Sequence, residues 1–231
     1  MPKAPALIGN LVESAIGRRG HVRGITEPAL GFIELELHAA PPLGGWRPGH
    51  EIQFRVAPTL SRRYSVHAVS GDGNRIRLLA AVDTSGPGTA WIRRLHAGAE
   101  VTLLAGPHQP LRQHGTRRLY LGDSSALGTI DAYAGTSNES IVALEVHEQA
   151  IPELSANWHG YCFIPRTDRS GDALQAWLES HLDSLRNIDG ALLLGHAQSI
   201  QRQRHALIEH QVLIRREIAS KPYWATGRQG L

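Results

Sequence analysis

Arg62, Tyr64 and Ser65 put a cation, a flat aromatic and a hydroxyl within four positions of a segment patterned like a strand. Side chains alternate across a strand, so Arg62 and Tyr64 project from the same side, and Ser65 reaches that side through its backbone or a local twist. A cation, an aromatic and a hydroxyl so placed could contact a ligand, although ordinary strands also carry Arg and Tyr. Further on, Ser85, Gly86, Pro87, Gly88, Thr89 and Ala90 form a glycine-rich turn feeding a helix. Backbone N–H groups and the helix dipole at such a start attract anions. A capped turn with Trp91 as its core anchor explains the same residues. A second polar turn, Gly122, Asp123, Ser124 and Ser125, follows a strand and leads into a helix at Ala126. Open α/β sheets bind ligands at such places, but the turn is not G-x-G-x-x-G, and a helix cap on Asp123 accounts for it equally. Arg215, Arg216, Lys221 and Arg228 read as a solvated basic face or as a landing site for an anion.

Other chemistries are absent. No G-x-S-x-G, H-E-x-x-H or phosphate-loop lysine motif occurs. Cys162 is the only cysteine, which excludes an internal disulfide and a thiolate-held iron–sulfur cluster. Its apolar neighbours make it an inert thiol. His159 and Cys162 have H-x-x-C spacing without a second pair, so no metal site is expected.

The elements that must position these residues fall into two kinds. The chain has 231 residues, 42% apolar and 19% charged, enough for one large or two small domains and unlike a disordered chain or coiled coil. The 24 Lys and Arg against 21 Asp and Glu leave a net +3, and with 6% aromatics and no basic–aromatic stripe no nucleic-acid partner is expected. No apolar run approaches the length of a membrane span and no signal peptide is legible, so no membrane insertion and a cytoplasmic location are expected. Residues 1–20 read as an amphipathic helix, with Leu7, Ile8, Leu11, Val12, Ala15 and Ile16 on one face, Gly17 at its end, and Arg18 and Arg19 at its C-terminus. Residues 21–114 read as short strands (21–26, 32–37, 51–56, 63–69, 75–82, 100–104) with one helix at 89–95, the pattern of a closed antiparallel β-barrel. Residues 115–231 alternate strands (118–121, 140–146, 160–164, 191–194, 211–216) with helices (126–135, 171–185, 197–210), the pattern of a parallel-sheet α/β domain.

In this frame the motif order becomes specific. RRYSV at 62–66, DTSGPGTAW at 83–91 and HAGAEVTLLAGP at 96–107 resemble the siderophore-interacting protein family, the FAD-dependent ferric-siderophore reductases of the ferredoxin-reductase-like superfamily. R-x-Y-S/T is that superfamily's flavin signature. LGDSSAL at 121–127, LLGHA at 193–197 and KPYWATG at 221–227 resemble the family's A-G-D-E-T-A-L, A-G-E-A and closing G-Y-W-R-x-G stretches, so the likeness runs from about residue 21 to 230.

The resemblance implies an FAD-binding barrel at 21–114 and an NAD(P)H-binding-like domain at 115–231. It implies flavin contacts from Arg62, Tyr64, Ser65, Val66, Ser85, Gly86, Gly88, Thr89 and Ala90, with Arg62 at the pyrophosphate, Tyr64 at the ring face and Ser65 near N5. It places Asp123, Ser125 and Ala126 on the nicotinamide side. Tyr223 and Trp224 cover the flavin or anchor the tail between the domains, and Arg215, Lys221 and Arg228 meet an anionic ferric siderophore. The implied reaction carries electrons from NADPH or NADH through FAD to Fe(III), releasing Fe(II). Three departures weigh on nicotinamide binding: His196 and Ser124 stand where the family carries acidic residues, and Ala99 where it prefers Asp. His147 suits a 2′-phosphate and Glu148 a 2′-hydroxyl. Two alternatives stand beside this reading: a flavoprotein passing electrons to a ferredoxin or an oxygenase, and a non-catalytic flavin- or siderophore-binding protein.

Overall fold

The computed structural model describes residues 17–135 and 139–228. Leu7, Ile8, Leu11, Val12, Ala15 and Ile16 of the expected N-terminal helix lie outside the described residues. Its expected C-terminal cations do not end a helix: Arg18 and Arg19 open a strand, β1 (Arg18–Ala29). The chain divides into two compact units, Met1–Pro110 and Leu111–Leu231.

The first unit is a closed antiparallel barrel. β1 is followed by β2 (Phe32–Ala39), β3 (Glu51–Ala57), β4 (Leu60–Val69), β5 (Arg75–Ala81) and β6 (Glu100–Leu104), closing in the order β1-β2-β5-β4-β3-β6. Strand alternation sorts the faces: Ile33, Leu35 and Leu37 of β2 enter the core, whereas Glu34 and Glu36 pair outside with Arg77 and Arg75. Phe54, Val66, Ile76 and Leu103 fill the interior without measurable exposure; each such side chain contributes about 2 kcal/mol on removal from water. A short helix, α1 (Pro87–Ile92), leads from β5 to β6.

The second unit is a five-stranded parallel sheet: β7 (Arg118–Asp123), β8 (Ile141–Val146), β9 (Tyr161–Pro165), β10 (Gly190–His196) and β11 (Ile218–Trp224), in the order β11-β10-β7-β8-β9. Its helices are α2 (Leu127–Ala134), α3 (Ile151–Asn157), α4 (Asp172–His181) and α5 (Ala197–Glu209). Every residue of β10 is buried, as expected of a central parallel strand.

The last strand departs from the sequence reading. The segment 211–216 is the turn and 3₁₀ segment after α5, with Val212 and Leu213 tucked into the core and Ile214 exposed. The strand itself is β11, which carries Pro222 and is tolerated because it lies at the sheet edge. From β7 the chain proceeds outward through β8 and β9, then returns to the other side of β7 for β10 and β11. That reversal makes the carboxyl ends of β7 and β10 the switch-point crevice where such sheets bind ligands.

Candidate functional site

Arg62 and Tyr64 project from one side of β4 and converge on Gly88 at the start of α1. A Cβ on Gly88 would stand 2.9 Å from the Tyr64 Oη and 3.4 Å from the Arg62 Cγ, so only glycine lets the helix start come this close. Gly86 is the residue before the helix, Pro87 opens it, and no side chain caps it. Arg62 donates to the Ser61 carbonyl at 2.9 Å and pairs with no carboxylate among the described residues. Burial pushes the Tyr64 phenol up to about 12, against the opposing pull of the Arg62 charge. The Tyr64 ring lies 6.1 Å from Phe54 and 6.4 Å from Trp91, and Phe54 and Trp91 lie 5.0 Å apart. Trp91 therefore anchors α1 in the core, and the anchoring and anion-attracting readings of this turn hold together.

The remaining candidates of this group differ in placement. Thr89 is half-buried; Ser85, Gly86 and Ala90 are exposed beside the helix start. Ser65 is half-buried opposite Glu51 in the β3–β4 ladder. The Val66 side chain is in the barrel core, its N–H donates to His50 and its carbonyl accepts from Gly49, so it holds the strand and presents no free group to a ligand. The opposite face of β4 was passed over in the sequence. There Arg63 lines a cleft of about 840 Å³ together with Arg18, His50, Glu51, Gln53 and Gly106. Strand alternation alone was the signal for it.

The switch-point crevice is built from Asp123, His196 and Trp224, one from the end of each of β7, β10 and β11. The Asp123 carboxylate accepts from the Ser125 N–H at 2.9 Å, from the Ser125 hydroxyl, and from the Trp224 indole N–H at 2.9 Å. Trp224 stacks on the His196 imidazole with centroids 4.3 Å apart. The imidazole bonds the Ser199 hydroxyl at 2.7 Å and the Thr226 hydroxyl at 3.0 Å. Burial raises the Asp123 pKa, against the lowering hydrogen bonds from Ser125 and Trp224. Burial lowers that of His196, against the nearby Asp123 charge. Gly195 is left-handed at φ 99°, and a Cβ there would lie 2.4 Å from the Asp123 carboxylate.

Asp123 thus acts as the cap that the sequence allowed. Ser125 is exposed, and Ala126 is fully buried, packed so closely on the strand that a Cβ on Gly122 would lie 2.7 Å from its own. The Tyr223 hydroxyl donates to Thr129 at 2.9 Å. His196, Ser199 and Thr226 completed the network without any motif to announce them. Glu145 was also missed. It lies next to last in β8, near where dinucleotide folds place an acidic ribose ligand, but it accepts from the N–H groups of Gly171 at 2.5 Å and Ala173 at 3.2 Å, at the start of α4. Burial raises its pKa against those bonds. Of the basic residues, Arg215 precedes β11, Lys221 is within it and Arg228 follows it, so a strand roughly 20 Å long runs between the outer two.

A closed antiparallel barrel followed by a parallel sheet with a switch-point crevice is the ferredoxin-reductase-like fold. No protein-family model matches the sequence, and no curated protein matches it either. Solved structures match by shape. The siderophore-interacting protein of Acinetobacter baumannii is 14% identical over 92% of this chain and 92% of its own, with a TM-score of 0.73. That of Aeromonas hydrophila is 17% identical over 93% of each chain, also at 0.73. The FAD apo form of the ferredoxin reductase in carbazole 1,9a-dioxygenase is 17% identical over 90% of this chain and 67% of its own, at 0.68. These likenesses establish the fold.

Proposed function

We propose that this chain is a flavin-dependent oxidoreductase of the siderophore-interacting kind, a reductase of ferric siderophores that releases Fe(II), with the first unit binding FAD and the second receiving NADPH or NADH. The observation that carries the reading is the convergence of Arg62 and Tyr64 on an uncapped helix start at Gly88, with Arg62 lacking a carboxylate partner among the described residues. That cradle fits an anionic, ring-bearing cofactor: the Arg62 guanidinium and the N–H groups at the helix start would hold the pyrophosphate, and the Tyr64 ring would border the flat portion. Ser85, Gly86, Thr89 and Ala90 would flank the phosphates, and Ser65 the ring edge. A bound flavin supplies the conversion of two-electron donors to the single electrons that Fe(III) takes. A cytoplasmic setting, where both nicotinamides are at hand, belongs to the same reading.

The second unit favours a specific alternative. Its crevice carries the Trp224–His196 stack and the Asp123 hydrogen bonds, which a nicotinamide entering there would have to displace. A flavoprotein that exchanges electrons with a ferredoxin or an oxygenase, or a flavin binder without nicotinamide activity, needs no such opening. One experiment separates these. The purified chain, mixed with FAD and passed through gel filtration, is expected to retain the two-band flavin spectrum. NADPH or NADH should bleach it, and a ferric siderophore should restore it. Retained flavin with no bleaching by either nicotinamide selects the alternative. No retained flavin with FAD in excess overturns both.

A further inference from the structure

We propose that His50 and His108 form a binding site for a first-row divalent metal ion within the barrel unit. His50 is 1% exposed, and its Nε2 lies 2.9 Å from the Gly106 carbonyl. A carbonyl only accepts, so Nε2 carries the proton and Nδ1 presents a lone pair. That Nδ1 is buried and has no hydrogen-bond partner among the described residues, and the same holds for the Nδ1 of His108. The two rings stand 5.2 Å apart, tilted by 36°. Two imidazoles sharing one metal at about 2.1 Å from each nitrogen hold their centroids roughly 5 Å apart. The bond from His50 to Gly106 is the outer-sphere contact that fixes tautomer and ring direction in histidine ligands, and Trp46 packs against the ring at a steep angle, with centroids 5.0 Å apart.

The electrostatics suit neutral ligands. Burial lowers the pKa of both histidines; the Gly106 bond and the Glu51 charge work against this at His50, while each of His50 and Arg47 adds to it at His108. Glu51 favours a cation and Arg47 opposes one, so the site is one of moderate affinity. No cluster of three or more His, Cys, Asp or Glu side chains suited to a metal occurs among the described residues, and the remaining coordination positions fall to water or to a chelating small molecule. Imidazole donors select zinc, copper, nickel, cobalt and iron over magnesium and calcium. No spacing signal marks the pair because the two histidines come from separate loops. The inference does not rest on the flavin reading.

The test is titration of Zn(II) into the metal-free full-length chain against a chromophoric chelator, with His108→Ala and the double variant His50→Gln/His108→Ala in parallel. One zinc per chain is expected in the native protein, weakened roughly tenfold or more in His108→Ala, with the thermal unfolding midpoint of each variant as a separate check that its barrel is intact. His108 lies on a half-buried loop, so its variant decides the matter even where His50→Gln disturbs folding. Equal zinc affinity in the native chain and His108→Ala overturns the proposal and leaves the two nitrogens to a trapped water.

Discussion

At the start of α1 the barrel brings an arginine, a tyrosine and a glycine together and leaves the helix without a side-chain cap. At the carboxyl ends of β7 and β10 the parallel sheet does the reverse. Asp123, His196 and Trp224 bond or stack with one another and with Ser125, Ser199 and Thr226. Both places attract anionic cofactors on general grounds, the one through a helix start and the other through its topology. The difference teaches that position in a fold marks where a ligand belongs, whereas the balance of satisfied and unsatisfied groups marks whether the chain has kept the place ready.

The largest expected effect comes from Gly195→Ala. The added methyl meets the Asp123 carboxylate in a left-handed backbone, so a loss of about 3 kcal/mol is expected, read as a lower midpoint in thermal unfolding. An unchanged midpoint would mean that the crevice is loose and the contrast false. Next comes Arg62→Ala, which on the proposed reading would remove a charge-assisted hydrogen bond worth about 1.5–3 kcal/mol and so should weaken FAD roughly 10–100-fold by equilibrium titration. Asp123→Asn should leave FAD affinity unchanged; an equal loss in both variants would erase the distinction. Third, Trp224→Ala should open the crevice and tighten NADPH about tenfold, because the native chain must first undo its own stack. Isothermal titration measures this, and weaker binding would show that Trp224 helps to hold the nucleotide.

The smallest effect is the pH response, where Glu34 of the barrel and the buried Asp123 and Glu145 of the sheet unit have opposite sign, while Asp189 of the sheet unit, held low by its hydrogen bonds from Thr116, acts with Glu34. In the barrel, the hydrogen bond from His67 and the charges of Arg77 and His67 hold Glu34 low, against its partial burial. Its stabilisation is present above the ordinary glutamate range and is lost as pH falls through the lowered value. In the sheet unit, burial raises Asp123 and Glu145, so their contribution is complete below the ordinary carboxyl range and is lost as pH rises through the raised values. His50, His108 and His196 are all lowered and act alike in both units, losing stability as pH falls below the ordinary imidazole range. Between about pH 5 and about pH 3, amide exchange should therefore show protection falling faster in β2 and β4 than in β7 and β8; parallel loss in both units would remove the contrast.

Much of the barrel was legible because alternation is a strong signal: Ile33, Leu35 and Leu37 against Glu34 and Glu36 fix both strand and face. β11 was not, because Pro222 reads as a break and only the finished sheet shows that it lies at an edge. Arg62 and Tyr64 were legible as a pair on one face, and their meeting with Gly88 joins segments whose separation carries no code. Asp123 was legible as a cap; its bond to Trp224 spans nearly half the chain. His196 showed in the sequence only as a departure from an expected acidic residue. Its stack on Trp224 depends on the neighbouring ends of β10 and β11, which no local pattern predicts.

Pro222 has one more effect. A barrel that closes on itself offers no strand to a neighbour, but an open sheet has two rims, and β11 forms one of them. A second copy approaching that rim would meet a residue without an N–H to donate, flanked by the ammonium of Lys221. Interrupted donors and a charge are how sheets refuse to grow by accretion. The residue that hid the last strand from the sequence reading also leaves that rim one donor short for a second copy to pair with.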